Sequence, residues 1–460
     1  MSVSGMIVPA LRSRLNGAVH GPGDDGYEDA RRVWNGAVSR RPCAIARCAD
    51  VSEVQHALRT AREQGVQVTV RGGGHNVAGM SVGEGALLID LCGMRTVHVD
   101  ASRGIAHIGG GALWSDVDAA TASLGMATTG GLISSTGVGG FTLGGGAGWL
   151  MRRFGLACDN MIGADLVLAD GILVRVAAAT QPDLFWALRG GAGGLGVVTS
   201  FELRLHPVVD VLAGLLVFDG AETADVLRRF RDVVADAPDE CCAMVVMANA
   251  PPLPFLASDW HGLPVCIVAV CCTGDVGIGE RFVEELRRGA APLADHVGTM
   301  PYVEWQRQLD PGAPPGRHQY WKNVNFERLD DLTVDALARA ATRRPTPLTE
   351  LHVQHLGGAV ARIPLAETAF TQREARFFVN LMGAAKAPSE FDALRSWIRG
   401  LAVELSDHAL PGRMPNFSDG DDPDAAHHAA GDQARRLREL RSRFDPEGLF
   451  ANPRQSAGNG

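Results

Sequence analysis

The sequence predicts an α+β chain with a mixed, glycine-rich first half and a second domain beginning near Pro207. Three observations carry this. A helix, a strand and a glycine turn follow one another between Asp50 and Asn76; further short strands and turns fill the chain up to about residue 200; and beyond His206-Pro207 the glycine clusters thin out while strand-like runs alternate with helical ones. The 460 residues, 46% hydrophobic and 21% charged, are enough for a large core divided among two or three domains.

From Asp50 to Gln64, Val54, Ala57, Leu58 and Ala61 recur at i, i+3, i+4 and i+7, behind an Asp50 cap with Glu53 three residues on. Val66, Val68 and Val70 then alternate with Gln67 and Thr69, and this strand runs into Arg71-Gly72-Gly73-Gly74-His75-Asn76, where extended structure must break. Leu87 to Asp90 and Ile105 to Ile108 read as strands, and Leu166 to Val176 as a hairpin turning at Asp170-Gly171. In the second half, Leu212 to Phe218, Met244 to Ala248 and Val265 to Cys271 read as strands, and Thr223 to Val234 as a helix. Leu351 to Gly358 alternates with period two, Leu351, Val353 and His355 on one face and His352, Gln354 and Leu356 on the other. An acidic loop at Asp419 to Asp424 precedes a helix whose arginines, Arg435, Arg436, Arg438, Arg441 and Arg443, form a solvated face opposite Leu437, Leu440 and Phe444. This tail is too short for its own core and is expected to dock on the rest.

A formal net charge of -9 disfavours nucleic-acid partners, whose binding requires phosphate neutralisation. Nine cysteines without a Cys-x-x-Cys pair or companion histidine spacing predict neither a disulfide framework nor a metal site. With no leader-like start and no apolar run near the ~20 residues of a membrane helix, the expectation is a cytoplasmic protein without a membrane partner.

Four glycine clusters, Gly72 to Gly74, Gly137 to Gly140, Gly144 to Gly148 and Gly190 to Gly196, suit a pyrophosphate, because glycine lets backbone N–H groups turn toward an anion without a Cβ in the way. No Gly-x4-Gly-Lys-Ser/Thr loop is present. The one Gly-x-Gly-x-x-Gly match, Gly191, Gly193 and Gly196, leads into Val197 to Phe201, a strand rather than the helix that a Rossmann site requires. His75 is singled out because it leaves three glycines at a strand end, close to any bound phosphate or ring.

The loop Arg71 to Asn76, followed by Gly79-Met80-Ser81, resembles the flavin-attachment loop of berberine-bridge-enzyme-like FAD oxidoreductases, of the vanillyl-alcohol-oxidase superfamily with its PCMH-type FAD-binding fold. Agreement continues in order through Gly137-Val138-Gly139-Gly140, Gly144 to Trp149, Phe154 to Asn160, Ala169-Asp170-Gly171, Asp183 to Gly191 and Gly196 to Ser200, returning at Pro415-Asn416-Phe417 and Phe444-Asp445-Pro446. The resemblance implies an FAD-binding domain of two α/β subdomains over residues 37–207, after an extension at 1–36. It implies a substrate domain at 208–410 with an antiparallel sheet covered by helices, and a segment at 411–460 returning to the FAD domain. On the cofactor side it points to Arg71, Gly72, Gly73, Gly74, His75, Asn76, Gly79, Ser81, Thr136, Gly137, Gly139, Gly140 and Gly146. Cys158, Asp159, Gly196, Val197, Val198, Asn416 and Phe417 complete that set, with Cys158 read as a buried structural thiol.

His75 would bond the flavin 8α carbon. The cysteine through which many relatives make a second bond is replaced by Ile133, so one covalent link is expected. The family's C-terminal tyrosine motif is here Met414-Pro415-Asn416-Phe417, so its phenolic base is lost. Tyr320, which would need Lys322 or another cation beside it, and His352 and His355, with Gln354, are the remaining candidates for substrate chemistry. The implied activity is hydride transfer from a C–OH or C–N carbon of a small molecule, a specialised metabolite or sugar, to FAD, with oxygen as acceptor. A flavin-binding protein without turnover, or a sugar-phosphate-binding module without flavin, are the alternatives.

Overall fold

The computed structural model describes residues 3–419 and 431–451; the acidic stretch Asp421–Asp424 lies outside the described residues. Three sheets organise the chain. The first has four strands in the order Val19–His20, Ala44–Arg47, Leu87–Asp90, Val68–Arg71, the last three mutually parallel. Helix Val51–Glu63 crosses over between two of them, burying Val54, Ala57, Leu58 and Ala61 in the core beneath. Asp50 caps it by accepting from the Glu53 N–H at 2.9 Å. The reciprocal half of the capping box does not form, because the Glu53 carboxylate turns back to accept from the amides of Asn16, Gly17 and Ala49.

The second sheet is antiparallel, in the order Val97–Asp100, Ile105–Gly109, Val197–Arg204, Met161–Val167, Leu173–Val176. Gly171, with φ 85°, closes the expected hairpin. A strand follows Gly196, as the sequence pattern required.

The third sheet has seven strands, all antiparallel: Ala294–Pro301, Asp210–Asp219, Pro264–Thr273, Cys241–Asn249, Glu350–His355, Phe377–Ala385, His318–Phe326. Helices Thr223–Ala235, Val276–Arg287, Asp331–Ala341 and Pro388–Ser406 cover one face, and alternate strand residues such as Leu216, Val245, Val268, Leu351, Val353 and Val379 meet Phe230, Leu286, Leu337 and Ile398 there. Because side chains alternate, everything between those residues points to the other face, toward the two N-terminal sheets.

The C-terminal helix Gly431–Phe444 packs Ala434, Leu437 and Leu440 into the core of the second sheet. Beyond it, Val68 exchanges hydrogen bonds with the Leu449 carbonyl and the Ala451 N–H, so the tail joins the edge of the first sheet. Its arginine face is not uniformly solvated. Arg436 stacks 4.2 Å over Trp186 and pairs with Asp183, while Arg441 donates to the carbonyls of Gly191 and Gly193 at 3.2 and 3.3 Å. Among the described residues no helix is long and apolar enough to cross a membrane.

Candidate active site

A cavity of about 1870 Å³ lies between the glycine loops of the first two sheets and the uncovered face of the third. That exceeds the ~300–1,000 Å³ typical of a pocket for one ligand and gives room for a dinucleotide and a second molecule together.

The loop after strand Val68–Arg71 supplies one wall. The amides of Gly73, Gly74, His75 and Asn76 donate to no backbone carbonyl among the described residues, so consecutive N–H groups are free to face an anion. Gly73 and Gly137 press together so closely that a Cβ on either would run into the other's backbone nitrogen, and a Cβ on Gly140 or Gly193 would stand in open space facing the cavity. This cradle fits the pyrophosphate of FAD. Gly72, Gly74, Thr136, Gly139, Gly196, Val198, Ser81, Asn416 and Phe417 also line the cavity, as expected. Asn416 fixes the second glycine loop by accepting from the Gly146 N–H at 3.0 Å and donating to the carbonyls of Gly140 and Phe141.

His75 faces the same space. Its ring stacks on Trp34 (centroids 5.0 Å apart, planes 20° apart), and Nε2 lies 2.8 Å from Ser135 Oγ, leaving Nδ1 as the nitrogen not engaged by Ser135. Burial pushes the imidazole pKa down to about 4, so the ring is neutral and carries a lone pair at physiological pH. Ile133, in the position of the second attachment cysteine, also lines the cavity.

Six residues expected on the cofactor side stand behind the wall rather than in it. Arg71 is buried beneath the loop, 2.6 Å from Asp90, and donates to the Arg32 carbonyl. Gly79 packs against Val38, and Gly146 is wedged between Phe141 and Ala157. Val197 points into the first core, being the odd neighbour of cavity-lining Val198. Asp159 is a buried partner of Arg373, which grips it bidentately at 2.6 and 2.7 Å, and Cys158 beside it is fully enclosed, its thiol pKa driven upward by desolvation.

The third sheet supplies the opposite wall, and its pleat decides the substrate-side candidates. Tyr320 is on the helix-covered face, 1% exposed, its hydroxyl accepting from Arg399 Nε at 2.8 Å; Gln319 and Trp321 take the cavity side of that strand. His355 shares the core face with Leu351 and Val353. Its Nε2 sits 3.0 Å from Arg152 Nη1, and burial together with Arg152 and Arg376 holds its pKa well below the usual imidazole range. Neither residue reaches the cavity.

His352 and Gln354 do reach it, together with Glu350 on the same face of the strand. His352 Nε2 is 2.8 Å from Glu350 Oε2. This leaves Nδ1 as the ring nitrogen not engaged by Glu350. Asn380, directly across from His352 in the neighbouring strand, is 1% exposed, lines the cavity and has an Oδ1 without a partner among the described residues. Sequence reading missed Glu350, Asn380, Trp34 and Ser135. The period-two rule that selected His352 would have found Glu350 two residues earlier, whereas the other three come from distant segments.

Comparison with known proteins agrees with this geometry. Residues 42–177 match the family model described as an FAD binding domain. An FAD-linked oxidoreductase of Dictyostelium discoideum is 27% identical over 97% of this chain and 96% of its own length. The crystal structure of 6-hydroxy-D-nicotine oxidase from Arthrobacter nicotinovorans superposes with a TM-score of 0.84 at 26% identity, covering 95% of this chain and 96% of that one. The berberine-bridge-enzyme-like protein 1 of Physcomitrella patens shares the fold with a TM-score of 0.87 at 22% identity, covering 97% and 98%. By sequence the chain is similar to FAD-linked oxidoreductases over nearly its whole length, and it shares the fold of the berberine-bridge-enzyme-like protein.

Proposed function

We propose that the protein oxidises a C–OH or C–N carbon of a small molecule, with FAD attached through His75 and molecular oxygen as the terminal acceptor. The observation that carries this reading is the His352–Glu350 pair, which faces the same cavity as His75 and the glycine loops. FAD held in the cradle supplies the hydride acceptor.

His352 Nδ1 takes the proton from the substrate's hydroxyl or ammonium group, and Glu350 orients the ring and stabilises the imidazolium that results. Gln354 and Asn380 flank His352 and offer hydrogen bonds to the same substrate group. Ser135 and Trp34 hold the His75 ring in one plane. The likeness to a protein named as an oxidase supports oxygen as the acceptor. A base beside the cavity also favours turnover over passive flavin binding.

The reading is tested by mixing the purified yellow protein anaerobically with secondary alcohols and amines. Bleaching of the flavin band, followed by peroxide formation on admitting air, is the expected result. A flavin that dithionite reduces but no alcohol, amine or sugar bleaches would overturn it.

A further inference from the structure

The cavity face of the seven-stranded sheet is divided in two. On strands His318–Phe326, Phe377–Ala385 and Glu350–His355 it presents Gln319, Trp321, Asn380, Glu350, His352 and Gln354, with Met382 and Ala384 beside them. On the next three strands in order it presents Met244, Val246, Ala248, Ile267, Ala269 and Leu215, the one polar lining residue of these strands being Asn249 at a strand end, whose side chain is engaged by the Gly262 carbonyl and Arg344. The change is abrupt: Val246 is paired with His352 and Ile267 with Val246, while Met244 is paired with Gln354 and Ala269 with Met244. With strands ~4.8 Å apart and ~3.4 Å per residue, these six side chains form a floor of roughly 10 by 14 Å. The segment Ala250–Leu256, Ala-Pro-Pro-Leu-Pro-Phe-Leu, roofs it, with Leu253 and Phe255 lining the cavity and Phe255 stacked on His296 at 4.3 Å.

We propose that this half holds the apolar body of an amphipathic substrate, an alkyl- or aryl-bearing alcohol or amine, while its polar carbon lies at His352; a carbohydrate is excluded as the substrate. This deepens the oxidase reading and rests on it for the placement of the reacting carbon. The physical ground is desolvation. A sugar on this floor would bury hydroxyls against six side chains that neither donate nor accept a strong hydrogen bond, at a loss of roughly five- to a hundredfold in affinity each. An apolar body instead gains about fourfold in affinity per buried methylene. Val246, Ile267, Leu253 and Phe255 are the specificity-determining positions.

The test uses the flavin-loaded protein and Nile red, a neutral dye whose fluorescence rises in apolar surroundings, so that binding is read without turnover. Saturable binding to the wild type is expected, weakened at least tenfold by Val246→Asp and by Leu253→Asp on the exposed loop, with the flavin spectrum unchanged in both. 4-Butyl-, 4-hexyl- and 4-octylbenzyl alcohol should displace the dye with affinity rising along the series, and cellotriose should not displace it. Failure of the wild type to bind the dye, equal binding by the variants, no dependence on alkyl length, or displacement by cellotriose would each overturn the proposal. Flavin reduction by the same alcohols is scored separately; displacement without reduction supports the apolar subsite and counts against the oxidation chemistry alone.

Discussion

Asp118, on helix Trp114–Ala122, is 6% exposed, and one of its carboxylate oxygens has no partner among the described residues. Desolvation raises its pKa from 3.8 to about 7, against the opposing influence of Gln306 and Arg307. Between those two values the folded chain keeps a proton that the unfolded chain has lost, so the native state binds more protons and stability falls as pH rises. The stability is fully present below about pH 4, declines by at most ~1.4 kcal/mol per pH unit, and levels off above pH 7. A shift of about three units corresponds to on the order of 4 kcal/mol, an upper limit because water entry and side-chain relaxation lessen the penalty. Asp118→Asn keeps the shape and removes the charge. Its melting temperature relative to wild type should therefore rise steadily from pH 5 to pH 7 and hold constant from pH 7.5 to 8.5. Parallel melting curves for the two proteins across that range would show that the carboxyl is not the source.

Three other expectations follow from the site. His75→Ala should yield protein whose flavin is released by acid precipitation, whereas wild-type flavin stays with the pellet; a denaturant-resistant yellow band from the variant would refute the linkage. His352→Ala should lower kcat/KM for flavin reduction by 10²- to 10⁴-fold, the usual contribution of a positioned base, with a smaller loss for Glu350→Gln, as read by anaerobic stopped-flow. Arg373→Met removes the bidentate counterion of buried Asp159 and leaves Arg189 at 3.9 Å, so denaturant titration should show a loss of about 3 kcal/mol, the low end for a broken buried pair, partly restored by adding Asp159→Asn.

Local features were legible in the sequence because their causes are local. The Asp50 cap, the helix behind it and the glycine turn at Gly171 each depend on residues within a few positions, and all three form. The glycine-lined wall of the cavity was legible for a related reason: a backbone that approaches a neighbour or a cavity closely needs glycine wherever a Cβ would obstruct it, and that demand is written residue by residue. Long-range partners were not. Nothing near Asp159 announces Arg373, 214 positions away, and nothing in the periodicity of the C-terminal helix says that Arg441 will reach the carbonyls of Gly191 and Gly193.

The substrate side shows where pattern reading stops. Alternation sorted the strand Glu350–His355 into two correct faces, but a two-faced strand does not say which face meets the cavity. That choice is made by helices such as Asp331–Ala341, which bury Leu351 and Val353 and thereby carry His355 into the core and His352 out of it. The same constraint explains the different chemistry of two histidines three residues apart. His355, in the core, is held neutral by burial and by the guanidiniums of Arg152 and Arg376, and serves packing. His352 has a carboxylate on one nitrogen and the cavity before it, which is the arrangement a proton acceptor needs. A one-residue slip of this strand would exchange the two faces, putting Leu351 and Val353 against the cavity and burying the Glu350 carboxylate among the helices. The apolar packing that fixes the register therefore also fixes which histidine faces the cavity.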